Sequence, residues 1–517
     1  MDIPVFAGVA EECVPEALRG DREEMKNMPC CRIPSVILSD DTLIAAADRS
    51  IFGADWGFIE IGVRRSIDGG RSFGEMQIVY TPPVCTAPVN YHDDTSAFAI
   101  DPVTVKAKDG SVVMLFDFYP ECKGIFKRDI LRHSTGYTKI NGNYYLRLRD
   151  LCGREYSVRE KGIIYDDNNE KTHYYLPQNH SAEYNYSTIG DMYYTEDEPE
   201  AGEFIEKCPP LFPDNTRDKY VGNIYLRPRA IMSGDCPETE KKLSEKCIYN
   251  CIETFPAPMT ADTTSYIWMT KSFDGGKNWS QPKDITPYVK TDEDDPFFGV
   301  GPGSGVCLKN GRIIIPVYSV GNAFVIYSDD NGENWHRAGE CENLDECQFA
   351  VYSDGVIGCF GRPEKPGKMP YSVSFDNGIT WKKVENSLYT VRCQHSCLAV
   401  PKEIYTDKMD KSKDYIIIAR PTGHMGKDET RTDGCAALGE VSSDYKIKWI
   451  SDLPLKTDKI YESSEQYGDF FAYSCMTVLP DGGIGLLYEP LPCGYIAFKK
   501  FELADFFNPN AAEAVTE

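Results

Sequence analysis

Residues 272–279 read Ser272-Phe273-Asp274-Gly275-Gly276-Lys277-Asn278-Trp279, and the same pattern, S-x-D-x-G-x-x-(W/F), recurs at Ser66–Phe73, Ser328–Trp335 and Ser374–Trp381. Each copy has the chemistry of a hairpin turn. The Asp carboxylate caps backbone N–H groups, Gly supplies φ > 0, and the terminal aromatic packs beneath the loop. Each follows an alternating or β-branched stretch (IEIGVRRS, SYIWMTKS, NAFVIYSD, MPYSVS), as expected where a turn joins neighbouring strands. The second, third and fourth copies lie roughly 45 to 55 residues apart, the length of one four-stranded propeller blade. The repeat therefore predicts an all-β propeller.

The gap between the first two copies is about 200 residues, which leaves about 150 beyond one blade and implies an inserted module. From Cys122 to Ala261 the composition shifts to Tyr, Asn, Asp and Glu, with strand-like pieces at NYYLRLRD and Lys171 to Leu176. The expected organisation is a first part of the propeller over 1–121, a small β-rich domain on its rim over 122–261, and the remaining propeller over 262–517. The run Gly299-Val-Gly-Pro-Gly-Ser-Gly305 lacks the Lys-Ser/Thr of a phosphate cradle and reads as a tight turn between blade strands. Helix is expected only in short N- and C-terminal pieces.

Composition excludes several partners. A net charge of -25 over 517 residues, with a pI near 4.8, opposes nucleic acid and anionic membrane surfaces, so any anionic ligand must be caught by local arginines. There is no apolar run of about 18 residues, so membrane insertion is not expected. The N-terminus has neither a basic n-region nor an apolar h-region, which predicts a cytoplasmic protein, or a secreted one whose signal is absent from this chain. The 19 cysteines are odd in number and scattered, with no CxxC pair; Cys247 and Cys251 have no matching pair, and most thiols read as small core residues. No HExxH occurs among the seven histidines, so neither a metal nor another cofactor is expected. A monomer is expected.

At Arg32-Ile33-Pro34 a permanent charge heads an apolar strand, which is costly unless an anion meets it. This tripeptide, taken with the four turn repeats, resembles the sialidase (neuraminidase) superfamily, specifically the bacterial exo-sialidases of glycoside hydrolase family 33 with a β-rich domain inserted in the propeller. RIPSVILSDDTLIAAADR, ADWGFIEIGVRRSIDGGRSFG, DFYPECKGIF, VGPGSGVCLKNGRIIIPVY and FFAYSCMTVLPDGGIGLLYE look like family segments in family order. The resemblance implies a six-bladed β-propeller whose repeats are Asp-boxes.

The resemblance also implies a set of site residues. Arg32, Arg362 in CFGRPEK and Arg431 in DETRTDG match three arginines that clamp a sialic acid carboxylate, through charge-assisted bonds that lysine does not reproduce. Asp55 matches the general acid/base, and Trp56 beside it gives a setting that favours the protonated carboxyl. Tyr473 in FFAYSCM matches the nucleophile, and Glu346 in LDECQF the base that accepts its proton. A phenol suits a reacting carbon that carries its own carboxylate, which would repel Asp or Glu; sialidases are a known exception to the two-carboxylate scheme. Glu489 in LLYEP matches the partner of the first arginine, and Arg49 in AADRS a further pocket arginine.

The implied function is that of a retaining exo-α-sialidase acting on sialylated oligosaccharides, glycoproteins and gangliosides through a tyrosyl intermediate. One alternative is an intramolecular trans-sialidase releasing 2,7-anhydro-sialic acid, in which a bulky aromatic crowds out water. PLPCGYIAF, after Glu489, offers Tyr495 for that place and no tryptophan. Another alternative is a non-catalytic carbohydrate-binding propeller.

Overall fold

The computed structural model describes residues 2–6, 30–50, 54–84, 96–122, 124, 131–177, 189–195, 218–227, 256–342, 344–423, 429–456, 469–492, 494 and 496–508. Six antiparallel blades surround a central axis, and their inner strands pack on one another. Blade one runs in order through Cys30–Ser39, Thr42–Ser50, Ile59–Ser66 and Gln77–Tyr80. Blade two is Phe98–Lys106, Val112–Tyr119, Tyr266–Ser272 and Lys283–Asp284. Blade three combines the short inner strands Gly299–Val300 and Val306–Cys307 with Ile313–Ser319, Asn322–Ser328 and His336–Glu342. Blade four is Cys347–Val351, Ile357–Gly361, Tyr371–Ser374 and Lys382–Lys383, and blade five is Ser396–Ala399, Asp414–Pro421, Gly434–Val441 and Ile447–Pro454. Blade six takes Ala472–Val478, Ile484–Glu489 and Ile496–Phe501, and its outer strand is Ile3–Phe6 from the other end of the chain.

Each Asp-box joins the third and fourth strands of its blade. In blade two, Asp274 accepts the N–H groups of Lys277 and Asn278 at 3.0 and 2.9 Å, and Ser272 Oγ accepts that of Gly276 at 2.8 Å. The Asn278 N–H and its side-chain amide are the main causes that hold the Asp274 carboxyl down at about 2. Gly276 has φ +78°, and a Cβ there would come to 3.2 Å from Ile44, so the turn fits against blade one only with glycine. The corresponding corner of blade five has no full repeat: Ser442 Oγ donates to Asp444 at 2.6 Å, and Tyr445 takes φ +63°.

Between the second and third strands of blade two the chain builds an eight-stranded antiparallel sheet, from Tyr137–Ile140 to Met259–Ala261. Its inner face is continuous with the propeller core: Leu148, Ile164, Met192 and Met259 share one apolar cluster with Phe116, Phe118 and Trp268 of blade two. A buried carboxylate closes the junction. Asp262 accepts Arg147 Nε at 2.9 Å, Arg149 Nε at 2.7 Å and Ser134 Oγ at 2.9 Å.

Two local expectations are corrected. The α-helix among the described residues is Thr286–Val289, between blades two and three, started by a proline at its first turn; near the C-terminal end there is a 3-10 turn at Leu503–Phe507. Residues 7–29 and 509–517, with Cys247, Cys251 and Tyr495, lie outside the described residues. Gly299–Gly305 is not a simple turn. Gly303–Ser304 pairs in parallel with Val103–Thr104 of blade two, strapping the two blades together. Its glycines are needed for close approach, since a Cβ at Gly299 would run into Asp117 and one at Gly305 into Ile315. Among the described cysteines, Cys31, Cys347, Cys359, Cys393, Cys397, Cys435 and Cys475 are buried thiols, and Cys152 is exposed.

Replacing Asp262 with Ala takes from Arg147 its carboxylate partner among the described residues and leaves Arg149 with Glu155 alone, a loss of about 3 kcal/mol readable by urea denaturation. Burial raises the Asp262 carboxyl, but Arg147 and Arg149 outweigh it and hold it below the ordinary value. Its contribution is therefore complete above a pH of about 4 and is lost as pH falls further. The stability gap between wild type and Asp262→Asn should narrow when both are measured near pH 3.

Candidate active site

The inner strands of blades one, two and six each break register where they reach the axis, between Arg32 and Ser35, Ile100 and Val103, and Ala472 and Ser474. A bulge re-aims the residues it releases. Here it frees Ile33, Asp101 and Tyr473 from their ladders, and all three line one depression of about 500 Å³ together with Arg32, the last paired residue before the blade-one bulge, and with Asp55, Glu346, Arg362 and Arg431. Below it, Gln348 and Gln394 amides both donate to the Pro302 carbonyl, at 2.8 and 3.1 Å, so the axis is filled.

Ile33 carries φ +57°, an outlier for a β-branched residue, at a cost on the order of 1–3 kcal/mol. Two contacts hold it. Its N–H donates to Glu489 Oε1 at 2.8 Å, and its side chain is buried with Ile59, Phe98 and Tyr473. Arg32 then has Nη1 at 2.7 Å from Asp55 and Nε at 3.6 Å from Glu489.

Tyr473, which is buried, donates its O–H to Glu346 Oε1 at 2.8 Å. Arg362 Nη1 donates to Glu346 Oε2 at 2.5 Å and to the phenol oxygen at 3.2 Å. The guanidinium carbons of Arg32 and Arg431 each lie 5.5 Å from the centre of the Tyr473 ring. Burial, and then the Glu346 carboxylate, push the phenol well above its ordinary range, while Arg362, Arg431 and Arg32 pull it down. Among the described residues, the Nε of both Arg32 and Arg362 is buried without a hydrogen-bond acceptor. Two such donors beside one depression suit a bound anion with several oxygens.

Of the residues selected from sequence, Arg32, Asp55, Glu346, Arg362, Arg431 and Tyr473 line the depression. Glu489 lies behind Arg32 and is buried. Arg49 stands apart: it sits opposite Cys31 in the ladder, does not line the depression, and has Nη1 2.8 Å from the buried Glu60. Asp55 has a cation as its neighbour. Its side chain is 44% exposed against Arg32, while Trp56 packs on the cluster of Ile33, Ile59 and Phe98.

Asp101 was not selected from sequence. Its N–H donates to Asp48 Oδ1 at 3.1 Å, it has φ +63°, and burial, then Asp48, push its carboxyl well above the ordinary range. A sequence signal exists: Ile100-Asp101-Pro102 repeats the spacing of Arg32-Ile33-Pro34, with the left-handed residue just before proline in both. Among the described residues no cluster of His, Cys, Asp and Glu forms a metal site.

Glu489→Leu leaves the Ile33 N–H and the Arg32 charge without this acceptor and should cost about 3 kcal/mol or more. Glu489→Gln keeps an oxygen for the amide and should cost clearly less; chemical denaturation of the two variants separates a backbone clamp from simple space filling.

Residues 254–419 match the model of a BNR repeat-like domain. The chain is 27% identical over 498 residues to the anhydrosialidase of Macrobdella decora, covering 89% of this chain and 57% of that protein. It is 25% identical over 496 residues to sialidase B of Streptococcus pneumoniae, covering 89% of this chain and 61% of that protein, so it spans less than two thirds of either relative. Among solved structures, the intramolecular trans-sialidase from Ruminococcus gnavus in complex with oseltamivir carboxylate superposes with a TM-score of 0.66 at 23% identity, over 92% of this chain and 95% of that one. A leech intramolecular trans-sialidase complexed with 2,7-anhydro-Neu5Ac gives a TM-score of 0.67 at 22% identity, over 98% of this chain and 71% of that one. Six blades, four of them with Asp-box corners, and an Arg-Ile-Pro bulge at the axis agree with these relatives: over most of its length the chain is similar to sialidases in sequence and in fold.

Proposed function

We propose that the protein is a retaining exo-α-sialidase, cleaving terminal sialic acid from sialylated glycans through a tyrosyl-enzyme intermediate. The observation that carries this reading is the hydrogen-bonded set Tyr473–Glu346–Arg362 beside the Arg32–Asp55 pair. The substrate carboxylate binds Arg32, Arg362 and Arg431, taking up guanidinium N–H groups that otherwise lack acceptors. As it engages Arg32 it competes with Asp55 and frees that side chain to carry a proton. Tyr473 Oη attacks the anomeric carbon while its proton passes to Glu346, and the aglycone oxygen leaves with the proton of Asp55. Asp55 then deprotonates a water that attacks the same carbon, and the tyrosine leaves, recovering its proton from Glu346. Two inversions give retention.

The nucleophile is a phenol for an electrostatic reason. A carboxylate approaching a carbon that bears its own carboxylate meets repulsion, whereas the Tyr473 phenol stays neutral until Glu346 accepts its proton and the surrounding arginines stabilise the charge that develops.

A second reading has support from the relatives named anhydrosialidase and intramolecular trans-sialidase. In it the sugar's own 7-hydroxyl replaces water in the second step and 2,7-anhydro-sialic acid is released. Both readings share cleavage by Tyr473 and differ in what reaches the intermediate. Mass spectrometry of the product from a sialyl-lactose separates them: free sialic acid supports hydrolysis, and the anhydro sugar supports intramolecular transfer. Tyr473→Phe should reduce turnover to background, and Glu346→Gln should lower kcat by about 10²- to 10⁴-fold with substrate binding retained. If wild type and Tyr473→Phe release the same trace of aglycone, the propeller binds glycans without cleaving them.

A further inference from the structure

A fourth arginine lines the depression outside the clamp. Arg392 lies between Val391 and Cys393, both fully buried, in the segment that leads into blade five, so its backbone position is fixed. Its side chain is 54% exposed, and among the described residues its ion pair is one contact of 3.5 Å to Asp345. Asp345 is already engaged: one oxygen accepts the Glu346 N–H at 2.9 Å, and the other lies 3.9 Å from Arg362 Nε. Arg312, elsewhere on the surface, binds Asp329 through two N–H groups at 2.7 and 2.9 Å. Arg392 therefore keeps most of its donor fork for solvent at the mouth of the site. In a chain of net charge -25, an uncommitted cation placed there acts on whatever anion enters.

We infer that Arg392 forms a second anion-binding position at the rim, and that the enzyme favours sialosides whose aglycone itself carries an acidic group. This inference rests on the reading of the site as sialoside-cleaving. The clamp holds the carboxylate of the sugar being removed, and Arg392 meets a carboxylate or sulfate on the sugar that remains. Asp345 occupies Arg392 in the free protein and yields it to the incoming anion, because a single long contact is readily exchanged.

Steady-state kinetics on the full chain test this with wild type, Arg392→Gln and Arg392→Lys. Three substrates are used: a monosialylated lactose with a neutral aglycone, an α2,8-linked disialyl lactose, and a sulfated sialyl-lactose. Arg392→Gln should lower kcat/KM on an acidic aglycone by about threefold to fivefold, through KM, as befits a half-exposed ion pair. On the neutral aglycone its effect should stay within about twofold, Arg392→Lys should retain much of the preference, and roughly 0.5 M salt should erase it. The acidic substrate that loses more identifies the group bound. Equal losses on all three substrates, or none, overturn the inference. Absence of wild-type activity on every sialoside would instead overturn the reading of the reaction itself.

Discussion

One buried carboxylate, Glu489 at the end of a blade-six strand, accepts the N–H of Ile33 at the head of blade one across 456 residues of sequence. Ile33 is held in a left-handed conformation that its branched side chain disfavours, and the bulge this creates turns Arg32 toward the axis. The Arg32 guanidinium in turn holds Asp55 and faces the Tyr473 ring. The geometry of the site thus descends from one hydrogen bond placed where the ring of blades closes. A proline follows Ile33, as one follows Asp101 in blade two, so the same device turns two side chains inward.

The electrostatics of the depression follow from a division of labour among its charges. The arginines are placed by carboxylates that sit behind or beside them: Glu489 for Arg32, and Glu346 with Asp345 for Arg362. Each carboxylate satisfies part of a guanidinium and leaves a buried N–H of Arg32 and Arg362 for something else. Such a site attracts an anion although the whole chain is strongly acidic, because Coulomb interactions at a few ångströms in a partly desolvated pocket outweigh a distant, screened net charge.

The parts of this architecture that are legible in the sequence are those set by local chemistry. An Asp-box can be read because the hydrogen bonds of its Ser and Asp close within eight residues, and four boxes give the blade length. Blade five is less legible because its corner uses Ser442, Asp444 and a left-handed Tyr445 in place of the full repeat. Six of the chosen site residues meet at one depression; which arginine faces it depends on strand register, and Arg49 lies in the ladder opposite Cys31, directed to Glu60. Asp101 is not legible in this way, because nothing near it in sequence marks it except the shared spacing to proline. The parallel pairing of the Gly299–Gly305 run is not legible for a related reason: its glycines answer to Asp117 of blade two and to Ile315 of the next strand, contacts that no local pattern reveals.

The outer strand of blade six is Ile3–Phe6, paired antiparallel to residues 496–498. Blade six is therefore completed by a strand from far away in sequence, and its closure joins segments nearly 500 residues apart. Contacts of such sequence separation form late and slowly, because the loop they close must be ordered before they return any stability. While the chain emerges from the ribosome, blades one to five can assemble on their neighbours, but Arg32 and Ile33 have no Glu489 to meet and Arg362 has no Tyr473. A fragment that stops short of blade six therefore lacks both the Ile33–Glu489 and the Arg362–Tyr473 contacts, however well its other blades fold.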